Sequence, residues 1–508
     1  MITLLILLAA VGILVWGFIR ARPYGKLGLL AWLQSVILMV PWLLFFGLFA
    51  AGMYLNLAGV LLLVVLSTGG YIWLGRQLRS LGGTEQMAQQ KLAISQTLNQ
   101  ADEAMADSGM SEGQTVPTQA DLSATQPAQK SAPMDEPAFT PIPAEDLTAI
   151  EGIFGIDTFF RTETTAYQSG AFFRGNLRGQ PAETVNQLTT LLEDRLGDRY
   201  RLFLIEGPER KPVVVVLPSS DDPKPATTPQ KVLAVALAIA TVITSLETGG
   251  ILQGFDFFQN FSRWGEALPV ALGVVAVLTA HELGHRWQAQ RHQVKLSWPF
   301  FFPAWQLGSF GAFTRFESLL PNRSVLFDVA FAGPAVGGLV SLLLLLLGLV
   351  ISHPGSYFQI PAEFFQGSVL VGSLARIVLG TALQADIIDV HPLTIVGWLG
   401  LVITALNVMP AGQLDGGRMV QAIYGRRVAS RATVVTLILL ALVSLVNPLA
   451  LYWAALILFL QRGLERPCLD DLSEPDDARA GLALLILFMM LATLLPLTPS
   501  LAGRLGIG

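Results

Sequence analysis

The sequence predicts a polytopic α-helical membrane protein of about ten spans, carrying a small α/β soluble domain and a re-entrant β-hairpin. Three observations lead there. Of 508 residues, 52% are apolar and 14% charged, where an ordinary soluble domain has roughly 25% charged residues. Apolar runs of spanning length recur in both halves of the chain, and one stretch, 144–218, interrupts them with helix and strand periodicities. The lone cysteine, Cys468, excludes an intramolecular disulfide and any cysteine-based metal framework. A net charge of −5 without a clustered basic patch excludes nucleic acid as a partner.

In chain order, residues 2–19, about 28–49 and about 54–75 form a three-helix membrane module within 1–80. The first run follows no basic residue and is succeeded at once by further spans, so it is expected to stay as an anchor rather than be cleaved as a signal. Residues 81–143 turn to Gln, Ala, Ser, Thr and Pro with eight acids against Lys91 and Lys130, the composition of a disordered linker. The domain 144–229 then shows a helix near 144–153, strands near 157–165 and 171–174, an amphipathic helix at 181–195, and strands at 200–206 and 212–217. A membrane core, 230–465, has spans near 231–249, 267–288, 325–351, 393–411, 432–447 and 448–462, and 466–508 supplies a last one near 480–501. Residues 368–385 read as amphipathic and interfacial because they hold Arg376. Trp298 to Pro303, followed by Gly308 and Gly311, reads as a re-entrant loop or hairpin. If the 20–27 loop is cytoplasmic, the soluble domain and most remaining Lys and Arg fall on that same side.

The chemistry sits at the end of the span 267–288, in His281-Glu282-Leu-Gly-His285. Two imidazoles four residues apart lie on one helix face about a turn apart and can reach one ion. A catalytic zinc takes three protein ligands and keeps a position for water, and Glu282, beside a ligand, can take a proton from that water. Polar residues capping a helix end are the plainer alternative, but ionisable groups inside a bilayer each cost about 2.5–3.5 kcal/mol on insertion scales, which favours a compensating ion. The best third ligand is Asp415, in Asn407-Val-Met-Pro410-Ala-Gly412-Gln-Leu-Asp415-Gly, where Pro410 and Gly412 break the preceding helix. A capping role in a glycine-rich turn is the alternative for Asp415.

His281-Glu-x-x-His285 and Asn407-x-x-Pro-x-x-x-Leu-Asp415-Gly together resemble the signature pair of the site-2 protease family of intramembrane zinc metalloproteases. Gly175 to Gly179, Gln306 to Ala312, Phe331-Ala-Gly-Pro334 and His391-Pro-Leu are similar to its EGY-like cyanobacterial and chloroplast branch. The resemblance covers about residues 144–465 and implies that His281, His285 and Asp415 bind Zn2+ and that Glu282 is the catalytic base. It further implies that Asn407 contacts substrate or transition state, and that Gln306–Phe313 is a membrane-inserted sheet near the active site, offering an edge to an extended substrate. The partners implied are transmembrane protein substrates and membrane lipid, with cleavage near the cytoplasmic or stromal side where Gly, Pro or Asn loosens the substrate helix. A zinc-binding transporter or non-proteolytic scaffold is the alternative; it has no need of a base beside the ligands.

Other features read as structural. His292 is expected at an interface, and His353 and His391 on the opposite side. Gly333-Pro334 and Gly337-Gly338 read as close helix packing, Cys468 as a free thiol, Gly175 to Gly179 as a turn, and Asp415 to Arg418 with Arg286 as a polar rim for water entry.

Overall fold

The computed structural model describes residues 142–507 apart from 168, 208–209, 306 and 461–462, with scattered helical positions between 18 and 77. The three-helix module 1–80, apart from those positions, and all but the last two residues of the linker 81–143 therefore lie outside the described residues. By packing, residues 138–438 and 457–508 form one unit, and everything below belongs to it unless stated.

Helix α1 (Ala144–Glu151), strands β1 (Phe159–Tyr167) and β2 (Gly170–Leu177), helix α2 (Pro181–Leu196) and strands β3 (Tyr200–Glu206) and β4 (Pro212–Pro218) follow the expected elements closely. The strands make one antiparallel sheet in the order β1-β2-β4-β3. Leu188 and Leu192 of α2 recur at helical spacing and close over Phe173, Leu202, Leu204, Val214 and Val216. The alternate strand residues Phe203, Val213 and Val215 make the sheet apolar on its second face as well, where Leu319 and Leu469 pack. Tyr200 donates to Asp146 at 2.8 Å, and burial together with that bond pushes its phenol up to about 12. Gly175 is not in a turn: it lies in β2 opposite the bulge between Arg161 and Glu163, where a side chain would collide with the Phe160 carbonyl.

Among the described residues, four helices are long and apolar enough to cross a membrane: Thr228–Ile251 (α3), the stretch Phe261–Arg291 containing α4 (Trp264–Arg291), Arg323–Ile351 (α5) and Asp477–Leu494. Shorter apolar helices include α6 (Val369–Leu379), in the stretch expected to be interfacial, and α7 (Pro392–Asn407). Their outward residues are aliphatic at helical spacing, as with the exposed Leu339, Leu343 and Leu347 of α5. Between helices the approach is close: a side-chain carbon at Gly400 would strike Ser341, and one at Gly397 would strike the α5 backbone at Leu345.

Strands β5 (Phe300–Ala304) and β6 (Gly308–Phe313) form the expected hairpin, packed against α3. A second two-stranded antiparallel sheet, β7 (Phe358–Pro361) with β8 (Ile387–Val390), whose strands flank helical residues 362–384, was not expected. Helix α8 (Asp415–Val443) starts well before the expected span at 432 and breaks at Gly425, whose φ is +81°. Arg323, expected to be a loop cation, is buried and donates to the Ala422 and Ile423 carbonyls at 2.7 and 2.8 Å, satisfying acceptors that the break orphans. From residue 465 the chain returns as a strap: Leu204 donates to the Leu469 carbonyl at 2.8 Å, Asp471 to the Leu204 carbonyl at 3.0 Å, and Leu469 to the Leu320 carbonyl at 2.9 Å. Cys468 in this strap is buried and free, and burial pushes its thiol well up, so it is an inert packing residue.

Candidate metal centre

Helix α4 carries His281, Glu282 and His285 into the interior, and all three are buried. After α7, the segment 408–414 turns back and α8 begins at Asp415, also buried. Thr433 of α8 accepts the Gly412 amide at 2.9 Å and so fixes that turn. The non-helical segment around Pro410 thus lets a carboxylate face the imidazoles, as the sequence predicts.

His281 Nε2 stands 3.2 Å and His285 Nε2 3.4 Å from Asp415 Oδ2, and the two imidazole nitrogens are 3.1 Å apart. A tetrahedral ion with bonds of about 2.0–2.1 Å separates its ligand atoms by about 3.3–3.4 Å, so this donor set has the span and composition that zinc takes. Among the described residues these three are the group of potential ligands that converges on one point. His285 Nδ1 lies 2.8 Å from the Val329 carbonyl of α5; donation there leaves the Nε2 lone pair facing the cluster. Glycines make the approach possible. A side chain at Gly333 would occupy the His285 ring, and a β-carbon at Gly337 would stand 2.9 Å from His281 Cβ. The expected close helix packing at these glycines is packing against the histidines themselves.

Glu282 accepts a hydrogen bond from Thr314 Oγ1 at 2.9 Å, immediately beyond β6. Thr314 is itself held by Arg418, whose Nη2 donates to its carbonyl at 2.8 Å. Arg418 is buried, pairs with Glu465 at 2.9 Å and stacks over Phe316 with 4.8 Å to the ring centre. Arg418 is therefore an internal strut and not an exposed rim; Arg286 instead donates to the Ser297 carbonyl at 3.0 Å. Asn407 at the end of α7 donates to the Phe310 carbonyl at 2.9 Å and to the Ile403 carbonyl at 2.8 Å. Its fit requires Gly311, with φ of +109°, because any side chain there would overlap the Asn407 amide. Glu282, His285, Thr314, Asn407 and Asp415 line a cavity of about 10 Å3, near the lower limit for one water.

The remaining histidines stay apart from this cluster. His292 Nε2 is 3.3 Å from Asp328, His353 engages the Pro354 carbonyl, and His391 caps α7 at the Leu393 amide. Thr314, Val329 and Glu465 had no signal in the sequence as members of the site, since each acts through a partner far away in the chain, and Arg418 was expected only as part of a rim.

Residues 269–446 match the family model described as Peptidase family M50, and residues 148–225 match that described as the EGY3 middle domain. The chain is 39% identical over 371 residues to "Probable zinc metalloprotease EGY2, chloroplastic" of Arabidopsis thaliana, an alignment covering 72% of this chain and 67% of the relative. It is 36% identical over 403 residues to "Probable zinc metalloprotease EGY1, chloroplastic" of the same plant, covering 72% and 74% of the two chains. A third relative, "Probable zinc metallopeptidase EGY3, chloroplastic" of Arabidopsis thaliana, is 30% identical over 387 residues, covering 70% of this chain and 66% of its own length. No solved structure matches.

Proposed function

The chain belongs to peptidase family M50, the site-2 proteases, in the EGY branch, and from that premise we propose that His281, His285 and Asp415 hold its zinc ion and that Glu282 is its catalytic base. As a member of that family it is a membrane-embedded zinc metalloprotease that hydrolyses peptide bonds of membrane-embedded protein substrates. The observation that carries the residue assignment is the convergence of two imidazole nitrogens and one carboxylate oxygen within 3.4 Å of one another, at burial, from helices 134 residues apart.

A bound zinc ion lowers the pKa of a water to about 7 and polarises a carbonyl. The protein residues do the rest. Glu282, oriented by Thr314, takes the proton of the attacking water and passes it to the departing amide nitrogen. The Val329 carbonyl keeps the His285 ring in the tautomer that presents Nε2. Asn407 is read as a substrate contact through its Oδ1, since its amide hydrogens already serve Phe310 and Ile403. The cramped cavity and buried walls exclude bulk water, so a helical substrate must be loosened before its peptide bond can enter.

The wider organisation is read in the same way. The division at 80, 143, 229 and 465 and the count of about ten spans draw support from apolar helices close to most of the expected spans after residue 228. Arg315, Arg426, Arg427 and Arg466 stand on the side of the soluble domain, which supports a cytoplasmic or stromal location for it and for the opening of the site. A transporter or scaffold role is not favoured, because the relatives carry protease names. The test is metal analysis of the purified chain together with the membrane proteome of cells bearing Glu282→Gln. One zinc per chain in both proteins, with uncut single-span proteins accumulating in the variant, is expected. Absence of zinc, or cleavage by Glu282→Gln, would overturn the assignment.

A further inference from the structure

A cavity of about 870 Å3 lies apart from the metal centre, under the second face of the four-stranded sheet. That volume is within the range of about 300–1,000 Å3 typical of ligand sites. Its floor is apolar, from Phe172, Phe203 and Val215 on the strands and Leu319 opposite. Its rim carries three cations, Lys224, Arg315 and Arg466, against two carboxylates, Asp221 and Asp222. Asp222 is already paired with Arg201 at 3.0 Å, which leaves the rim with surplus positive charge.

The cleft does not end there. A second cavity of about 200 Å3 shares Lys224, Arg315, Leu319 and Arg466 with it and extends to Phe316 and Gln413. Gln413 also lines the small cavity that holds Glu282, His285 and Thr314. Three cavities therefore follow one another from the soluble sheet to the catalytic groups, and the lining passes along the backbone from Leu319 through Phe316 and Arg315 to Thr314.

Resting on the protease reading above, we propose that this cleft receives the extramembrane segment of the substrate as an extended peptide in which apolar side chains alternate with acidic ones. The apolar floor takes one set of side chains and the cationic rim the other, since an extended chain directs successive side chains to opposite faces. The middle cavity, lined by Arg315, Ser318, Gln413, Glu465 and Arg466, is polar and narrow. A polypeptide can satisfy such walls with its backbone amides, whereas a lipid acyl chain gains nothing by entering them. The docked segment would thus lead the scissile region toward Ala312–Thr314 beside the base.

The experiment uses the full chain with Glu282→Gln, zinc-loaded, in nanodiscs of phosphatidylcholine, and fluorescent peptides alternating Leu with Glu or Leu with Lys. The Leu/Glu peptide is expected to bind about tenfold or more tightly than the Leu/Lys peptide, judged by anisotropy. Lys224→Glu combined with Arg466→Glu should reverse that order while the zinc content stays at one per chain. Equal affinity of the two peptides, or an unchanged order in the double variant, overturns the proposal. So does loss of peptide binding when phosphatidylglycerol is included in the nanodisc, which would assign the cleft to an anionic lipid headgroup. Binding is read on uncut protein, so failure of the protease reading would be seen separately, as missing zinc or missing cleavage in the wild type.

Discussion

The four-stranded sheet with its helices and the helical core place polarity in opposite positions. In the first, Ile150, Phe173, Leu188 and Val214 are fully buried, and ion pairs such as Arg174–Glu163 lie outside. In the second, His281, Glu282, Asn407, Asp415 and Arg418 are buried, while Leu339, Leu343 and Leu347 face outward. The domain draws its stability from apolar area removed from water. The core, surrounded by lipid tails as apolar as its own surface, has little of that drive between helices; close approach at small residues and internal hydrogen bonds hold it together. Its interior can therefore carry charged, reactive groups, provided that each finds a partner.

The sharpest way to break this contrast is at Gly333. Replacing it with Leu puts a side chain where the His285 ring stands, so zinc affinity should fall by about 100-fold or more, measured by titration against a chelator. Gly338→Ala serves as the control, since its β-carbon meets only Thr404 at 3.5 Å and zinc affinity should stay as it is. A Gly333→Leu protein with wild-type affinity would remove close approach as the organising rule.

Next in size, Leu188→Ala empties part of the domain core and should cost about 2–5 kcal/mol, read from denaturant-dependent proteolysis of 144–218, with zinc binding retained. Loss of zinc in this variant would show that the two regions are not independently built. Smaller still, Thr314→Val deletes the donor to the Glu282 carboxylate; hydrogen bonds to charged groups are worth about 1.5–3 kcal/mol, so kcat should fall about 10- to 100-fold. Zinc content should not change, and Thr314→Ser should restore the rate.

The smallest effect concerns Tyr200, whose folded pKa is raised from 10.0 to about 12. The sign follows from the raised value: its contribution to domain stability is fully present below pH 10 and is lost as pH rises toward about 12. Asp146→Asn should bring the phenol down toward 10, visible in its ultraviolet titration. An unmoved titration would assign the shift to burial alone.

The elements of 144–218 were readable because alternating strands such as 200–206 and the amphipathic 181–195 state their buried faces locally. The cluster of two imidazoles and one carboxylate was readable because helix geometry ties His281 to His285 and because Pro410 and Gly412 announce a break before Asp415. Thr314 and Glu465 were not, and Arg418 was legible as a rim residue but not as a strut, since Arg418 meets Glu465 only after 47 residues and Thr314 meets Glu282 after 32, and no periodicity records such pairs. The helix beginning at Asp415 was hidden for a related reason. Its first turns, opening on Asp415-Gly-Gly, look like a loop until Arg323, 99 residues before Ala422, supplies the cap that ends them at Gly425.

The strap at 465–471 also bears on biosynthesis. The ribosome delivers the two histidines first and the carboxylate 134 residues later, a delay of roughly 7 to 27 s at about 5–20 residues per second. Glu465, which steadies Arg418 and through it the threonine behind Glu282, comes later still. Until residue 465 has been made, a nascent chain therefore lacks part of the buried network behind Glu282.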